Sequence, residues 1–267
     1  MPTETASING LTMCFEVAGP QAAPAVILHH PLATSLATWD PLFAALAKSY
    51  RVVRFDARGH GATSAPKGAY NFAALSSDVI ALVDHLGIGK AHFLGLSMGG
   101  MVGQHLGLLH PKRFYTLCLV STSSRIPAEA KQIWLDRITN APKTGMAGTV
   151  DAALARWVAP DVLKTRPELV KRLVGMMLAT PVDGYVGWCH AISTLDVTDR
   201  LAAIKHPTLV VVGALDPATP PAAAETIHRN IPGSRLVIMP GVSHMLQEEE
   251  PAAFAGHVRA FLDANRA

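Results

Sequence analysis

Charge is scarce in this chain. Only 16% of its residues are Asp, Glu, Lys or Arg, against 49% hydrophobic, so there is ample apolar material for a buried core and none of the polar excess that keeps chains disordered. The net charge of +3 comes from Lys and Arg scattered along the sequence, without the basic stripe that tracks a phosphate backbone, and no nucleic-acid partner is expected. Cysteine is equally sparse. Cys14, Cys118 and Cys189 stand far apart with no CxxC spacing, which argues against a disulfide framework or a zinc site and makes a reducing cytoplasm the expected setting. No run approaches the roughly 18 apolar residues of a membrane span. The first residues lack a basic segment followed by an apolar one, so no signal peptide is expected. There is no internal repeat or low-complexity segment. The 267 residues fit one large α/β domain with an insertion as well as two ordinary domains.

What the chain does have is a rhythm. Apolar, β-branched runs punctuated by Gly and Pro alternate with longer Ala/Leu-rich segments, the pattern of a mostly parallel sheet flanked by helices. Ser7-Ile8-Asn9-Gly10 signals a hairpin into Leu11–Val17. Pro24–His29, Arg51–Phe55, Ala91–Leu96, Leu117–Val120, Thr208–Val212 and Arg235–Met239 read as strands. Thr38–Ser49 reads as helical, as does Phe72–Leu86, which Gly87 stops. Further helices are expected over Ala222–Asn230 and from Pro251. After Leu117–Val120 the strand signal disappears. Helical segments near Ala128–Asn140, Thr149–Val158, Pro167–Leu178 and Tyr185–Leu195 follow, holding three of the four tryptophans, Trp134, Trp157 and Trp188. Residues 123–203 are therefore expected to form a helical cap inserted in a core made of residues 1–122 and 204–267.

Gly95-Leu96-Ser97-Met98-Gly99-Gly100 directly follows a predicted strand and directly precedes a predicted helix, the context that a GxSxG nucleophile elbow of the α/β-hydrolase fold requires. A serine at so sharp a turn adopts a strained backbone, and glycines two positions either side let strand and helix approach. The turn also places the Met98 N–H at a helix start, where it can face a developing oxyanion.

A serine needs a neutral imidazole to take its proton and a carboxylate to orient that imidazole. In this fold the partners follow in the order Ser, acid, His, each beyond the C-terminal end of a strand. Asp216, after Thr208–Val212, and His244, after Arg235–Met239, satisfy that order. Of the 12 histidines, His60 belongs to a loop, His85 and His105 to helices and His92 to a strand start. Asp56 follows a strand but precedes the serine, and is read as organising its glycine-rich turn. The alternative acid position, after Leu117–Val120, holds Ser121-Thr122-Ser123 and no carboxylate. A second oxyanion donor should come from His29-His30-Pro31-Leu32-Ala33-Thr34. Pro31 has no N–H, which leaves Leu32, with Ala33 in reserve. The paired histidines either shape this loop or touch substrate.

Gly95-Leu96-Ser97-Met98-Gly99-Gly100, Arg54-Phe55-Asp56-Ala57-Arg58-Gly59-His60-Gly61, Trp39-Asp40-Pro41, Ala179-Thr180-Pro181, Gly184-Tyr185 and the stretch from Gly213 to Pro221 together resemble the 3-oxoadipate enol-lactonases of aromatic-compound catabolism. The likeness runs from about Leu11 to the final helix and includes the cap. It implies hydrolysis of an enol-lactone to an open-chain oxo-acid, with a small-molecule substrate and no cofactor or metal. The family usually carries Ser-Asn-Ser-Leu where this chain has His29-His30-Pro31-Leu32, so Leu32 is shared and the pocket rim differs. Such a substrate carries a free carboxylate, which needs a cationic partner. Arg137, one turn from Trp134, is either that partner or a solvated arginine beside a core tryptophan. The same triad also serves general carboxylesterases and perhydrolases, and a ligand sensor with slow turnover is a further class. The sequence carries no signal for oligomeric state.

Overall fold

A computed structural model of the chain describes residues 3–266. The first two residues and the last, which the expected core bounds and the signal-peptide reading include, lie outside them. In chain order the strands are β1 (Glu4–Ile8), β2 (Leu11–Ala18), β3 (Ala25–His29), β4 (Arg51–Phe55), β5 (Ala91–Leu96), β6 (Phe114–Val120), β7 (Thr208–Gly213) and β8 (Arg235–Met239). The helices are α1 (Asp40–Leu46), α2 (Phe72–His85), α3 (Met98–Leu109), α4 (Lys131–Thr144), α5 (Val150–Trp157), α6 (Pro160–Thr165), α7 (Pro167–Ala179), α8 (Val182–Ser193), α9 (Pro221–Asn230), α10 (Leu246–Glu249) and α11 (Pro251–Ala264). Among the described residues no helix is long and apolar enough to cross a membrane.

The eight strands form one sheet in the order β1-β2-β4-β3-β5-β6-β7-β8. β1 and β2 pair antiparallel, as do β2 and β4, and every other neighbouring pair is parallel. The residues of β3, β5 and β7 are buried throughout, which is why these strands read as unbroken apolar runs instead of alternating ones. Asn9 and Gly10, with φ of 49° and 75°, make the predicted hairpin turn between β1 and β2. Asn71 caps α2 by accepting from Ala74 N at 2.9 Å, and Gly87 ends it in the left-handed region at φ 65°.

Two local differences from the sequence expectation have clear causes. The helix expected over Thr38–Ser49 is split into a 3-10 turn, Leu36–Trp39, and α1, because Pro41 sits in the first turn of α1 and its missing N–H suits only a helix start. Between β6 and β7 an additional short helix, α6, opened by Pro160, lies between the expected segments Thr149–Val158 and Pro167–Leu178, and α7 starts at Pro167 as expected. No strand of the sheet lies in this stretch, and only an isolated bridge joins Arg125 to Asp196.

Register decides where the loops meet. β3 and β5 are neighbours, with His29 opposite Gly95, so the loops leaving both strands emerge side by side at the carboxyl edge of the sheet. This is the switch point of an open α/β sheet, where strand order reverses and ligands bind. β6 adds Val120 opposite Leu96, and β7 pairs with β8 with Gly213 opposite Met239, which brings the Asp216 and His244 loops to the same edge.

Candidate active site

Ser97 occupies the turn between β5 and α3 at φ 56° and ψ −112°, a strained conformation for a residue with a Cβ. The turn is held on both sides. Ser97 N–H donates to the Val120 carbonyl at 2.8 Å, and the Thr122 hydroxyl donates to the Ser97 carbonyl at 2.7 Å. A Cβ on Gly95 would lie 2.2 Å from the Gly99 carbonyl, and one on Gly99 would lie 2.4 Å from the His29 carbonyl. Only hydrogen fits at either position, so the glycines allow the elbow to form.

Asp216 and His244 are in contact. His244 Nδ1 lies 2.8 Å from Asp216 Oδ2, which also accepts the Thr219 hydroxyl at 2.8 Å. Oδ1 accepts the N–H groups of Ala218 and Thr219 at 2.8 and 2.9 Å. Burial by itself would raise the Asp216 pKa, but the His244 ring and the Thr219 donors outweigh it, and the carboxyl is held below its usual range. The His244 loop is fixed from the helical segment. Met245 N–H donates to the Trp157 carbonyl at 2.8 Å, while Glu249 accepts Ser243 N–H and Ala159 N–H, each at 3.0 Å. Ser97 and His244 line one cavity of about 1070 Å³ between the sheet edge and the helices that follow β6. Among the described residues no hydrogen bond joins the serine hydroxyl to the imidazole.

The loop after β3 brings Pro31, Leu32 and Ala33 to the same cavity. Its carbonyl side is occupied: Pro31 O accepts from His30 Nδ1 and from the Thr34 hydroxyl, both at 2.8 Å. In a trans peptide the N–H points opposite the carbonyl, so the Leu32 N–H faces away from these two side chains and has no protein partner among the described residues. The reserve donor is excluded, because Ala33 N–H is spent on His60 Nε2 at 2.9 Å. Met98, first residue of α3, likewise has an N–H left over by the helix. His29 and His30 are buried and shape the loop: His29 Nδ1 meets the His30 carbonyl at 3.0 Å, and His30 Nε2 accepts Ala57 N–H at 2.9 Å. Asp56 organises its turn by accepting Leu36 N–H at 2.7 Å and Ala62 N–H at 2.9 Å.

Trp134 and Arg137, both on α4, line the cavity with the guanidinium carbon 4.3 Å from the indole ring centroid. Sequence reasoning missed two neighbours. Arg156 on α5 and Tyr185 on α8 line the same wall. Arg156 Nε donates to the Ala152 carbonyl at 3.0 Å, and neither arginine has a carboxylate partner among the described residues. Burial and then the proximity of Arg137 lower the Arg156 pKa. The Tyr185 phenol is raised by burial, against which both arginines act. The only sequence cue for Tyr185 was the Gly184-Tyr185 pair; a single arginine on a short amphipathic helix gave none. Among the described residues no group of three or more His, Cys, Asp or Glu side chains is arranged to hold a metal ion.

Such an arrangement can activate a hydroxyl, stabilise an oxyanion and attract a carboxylate. Residues 24–251 match the family model for the alpha/beta hydrolase fold. Over 259 residues the chain is 34% identical to 3-oxoadipate enol-lactonase 2 of Acinetobacter baylyi, spanning 97% of this chain and 96% of that protein. The crystal structure of an enol-lactonase from Burkholderia xenovorans is similar with a TM-score of 0.94 at 35% identity, over 97% of this chain and 100% of that one. A thermophilic esterase from Thermogutta terrifontis also reaches a TM-score of 0.94, at 26% identity and over 100% of both chains.

Proposed function

This chain belongs to the alpha/beta hydrolase fold family and is an enzyme of the ester and lactone hydrolase kind, and on that premise we propose that it opens an enol-lactone bearing a free carboxylate, 3-oxoadipate enol-lactone foremost, in the cytoplasmic catabolism of aromatic compounds. The observation that carries the proposal is the pairing, in one cavity, of Ser97 and His244 with two arginines that lack carboxylate partners among the described residues.

Ser97 Oγ attacks the lactone carbonyl while His244 Nε2 takes its proton. Asp216 fixes the Nδ1–H tautomer and stabilises the imidazolium. The tetrahedral oxyanion accepts from the N–H groups of Leu32 and Met98. Collapse breaks the ring C–O bond, and His244 returns its proton to the leaving oxygen, which stays tethered to the acyl group as an enol and becomes the ketone. Water then attacks the acyl-enzyme with His244 again as base, releasing the oxo-acid and Ser97. Arg137 and Arg156 hold the free carboxylate, with Trp134 and Tyr185 as walls. The helices between β6 and β7 act as the cap, residues 123–203, over the core on either side of that insertion.

A second reading, a general carboxylesterase, is favoured by the cavity volume, which sits at the upper end of ordinary ligand pockets and exceeds what a six-carbon lactone fills. Turnover of 3-oxoadipate enol-lactone measured beside a series of neutral aryl esters tests the choice. A kcat/KM for the lactone at least a hundredfold above the best aryl ester is expected, and the reverse ranking would establish the esterase.

A further inference from the structure

The hydrogen bonds around the loop after β3 lead out of the catalytic cavity and into α8. Ala33 N–H donates to His60 Nε2 at 2.9 Å, so that nitrogen carries no proton, and the ring proton sits on Nδ1, 3.3 Å from the Arg58 carbonyl. The same carbonyl accepts the Trp188 indole N–H at 2.7 Å. Trp188 belongs to α8, one turn beyond Tyr185 of the cavity wall. His60 and Trp188 are completely buried, with their ring centroids 6.0 Å apart. Burial and then the neighbouring His30 hold the His60 pKa well below its ordinary value, which keeps the ring neutral and Nε2 able to accept.

The seam between α8 and this turn is fixed at several points. A Cβ on Gly184 would lie 2.0 Å from the Gly59 carbonyl, and Tyr70 N–H donates to the Gly187 carbonyl at 3.1 Å. Ala33, at the other end of the chain of hydrogen bonds, has φ 56°, which a residue with a Cβ keeps only where its surroundings impose it. The His60 acceptor supplies that constraint one residue after Leu32.

We propose that His60 and Trp188 are positioning residues, a buried hydrogen-bonded link through which α8 holds the loop that carries the Leu32 oxyanion donor. The inference rests on the reading of Leu32 as that donor. Its consequence is that one helix both walls the substrate cavity and sets the electrophilic side of the site. A substrate pressed against α8 therefore bears on the element that holds the donor.

Three variants test it. Trp188→Phe keeps a ring and removes the N–H; His60→Leu removes the acceptor; His60→Gln restores an oxygen acceptor near the Nε2 position. The readouts are kcat and KM for an aryl ester, and the 13C NMR titration of the adduct formed by Ser97 with a trifluoromethyl ketone labelled at its carbonyl carbon, whose hemiketal ionises more readily when oxyanion donors are in place. His60→Leu should lose about tenfold to hundredfold in kcat, short of deleting a donor outright, with KM within about twofold. Its hemiketal pKa should rise by about one unit, the equivalent of tenfold weaker stabilisation. His60→Gln should recover most of both, and Trp188→Phe should fall between. If His60→Leu does not fold, Trp188→Phe carries the test with the same readouts. Unchanged kcat and hemiketal ionisation in folded Trp188→Phe and His60→Leu would overturn the link while leaving the Ser97 mechanism intact. A wild-type protein that forms no adduct would overturn the mechanism and the link together.

Discussion

His244 Nδ1 and Asp216 Oδ2 lie 2.8 Å apart, and the remaining capacity of the carboxylate is filled by Thr219 and Ala218. With every contact of Asp216 coming from a donor, the His244 proton is fixed on Nδ1 and Nε2 is left able to accept, as the proposed role of base requires. Asp216→Asn presents an amide N–H or a weaker acceptor to the ring and favours the wrong tautomer. Its kcat should fall by about 10⁴ with little change in KM, measured by steady-state hydrolysis of an aryl ester. A loss under tenfold would show that Asp216 does not orient the base.

Arg137 and Arg156 line the cavity without carboxylate partners among the described residues. Replacing Arg156 by Gln should raise KM for a carboxylate-bearing lactone or ester by about tenfold to a hundredfold, the worth of a hydrogen bond to a charged group. KM for a neutral ester of similar size should stay within about twofold. Equal effects on both substrates would assign Arg156 to packing.

Glu249 accepts Ser243 N–H and Ala159 N–H on its two oxygens, joining the His244 loop to the segment before α6. A glutamine has one oxygen and would turn an NH2 group toward one of these donors. Glu249→Gln should therefore lose about 1–3 kcal/mol of stability, read from urea unfolding, and lower kcat through the less firmly held His244. Wild-type stability would mean that water replaces the lost acceptor.

Acid should weaken the fold below about pH 6.5, where the imidazoles of the unfolded chain take up protons. Burial holds His29 at about 3 and His92 at about 4, so both stay neutral in the fold, while the unfolded chain binds protons below about pH 6.5. A folded pKa below the unfolded one means that this stability is complete above pH 6.5 and is lost as pH falls toward the folded values. Each histidine adds a slope of about 1.4 kcal/mol per pH unit in that window. Asp216, held below its usual range, loses its contribution only at still lower pH, as the solution passes its folded pKa. Urea unfolding at pH 7 and pH 5 should show the loss, and His92→Gln should flatten the slope by about one proton's worth. A stability independent of pH across this range would contradict the burial of neutral rings.

The central strands were legible because they are buried on both faces and bounded by turn residues, and the limits of β4 and β5 coincide with their apolar runs; β8, a part-exposed edge strand, was marked by its run Arg235–Met239 alone. Four of the five helices between β6 and β7 were legible, α7 from its first residue, Pro167, while the short α6 was not. A 3-10 turn, Ala128–Ala130, precedes α4, and proline starts decide where α6 and α7 begin. Ser97, Asp216 and His244 could be nominated because each follows a strand end, a local signal. Arg156, Glu249 and the link from His60 to Trp188 could not. Their partners lie up to 130 residues away in sequence, and only the packing of α5 and α8 against the sheet edge brings them together. His60 read as a loop histidine, since nothing local marks an imidazole that accepts a backbone N–H 27 residues earlier.

The account depends on Ser97 as the nucleophile, and single-turnover hydrolysis of an aryl ester by Ser97→Ala tests it most directly. In a comparable serine enzyme removal of the nucleophile costs about 2 × 10⁶ in kcat, and a loss of that order is expected here, with the folded state intact by circular dichroism. A Ser97→Ala protein that retains more than about one hundredth of the wild-type rate would contradict it.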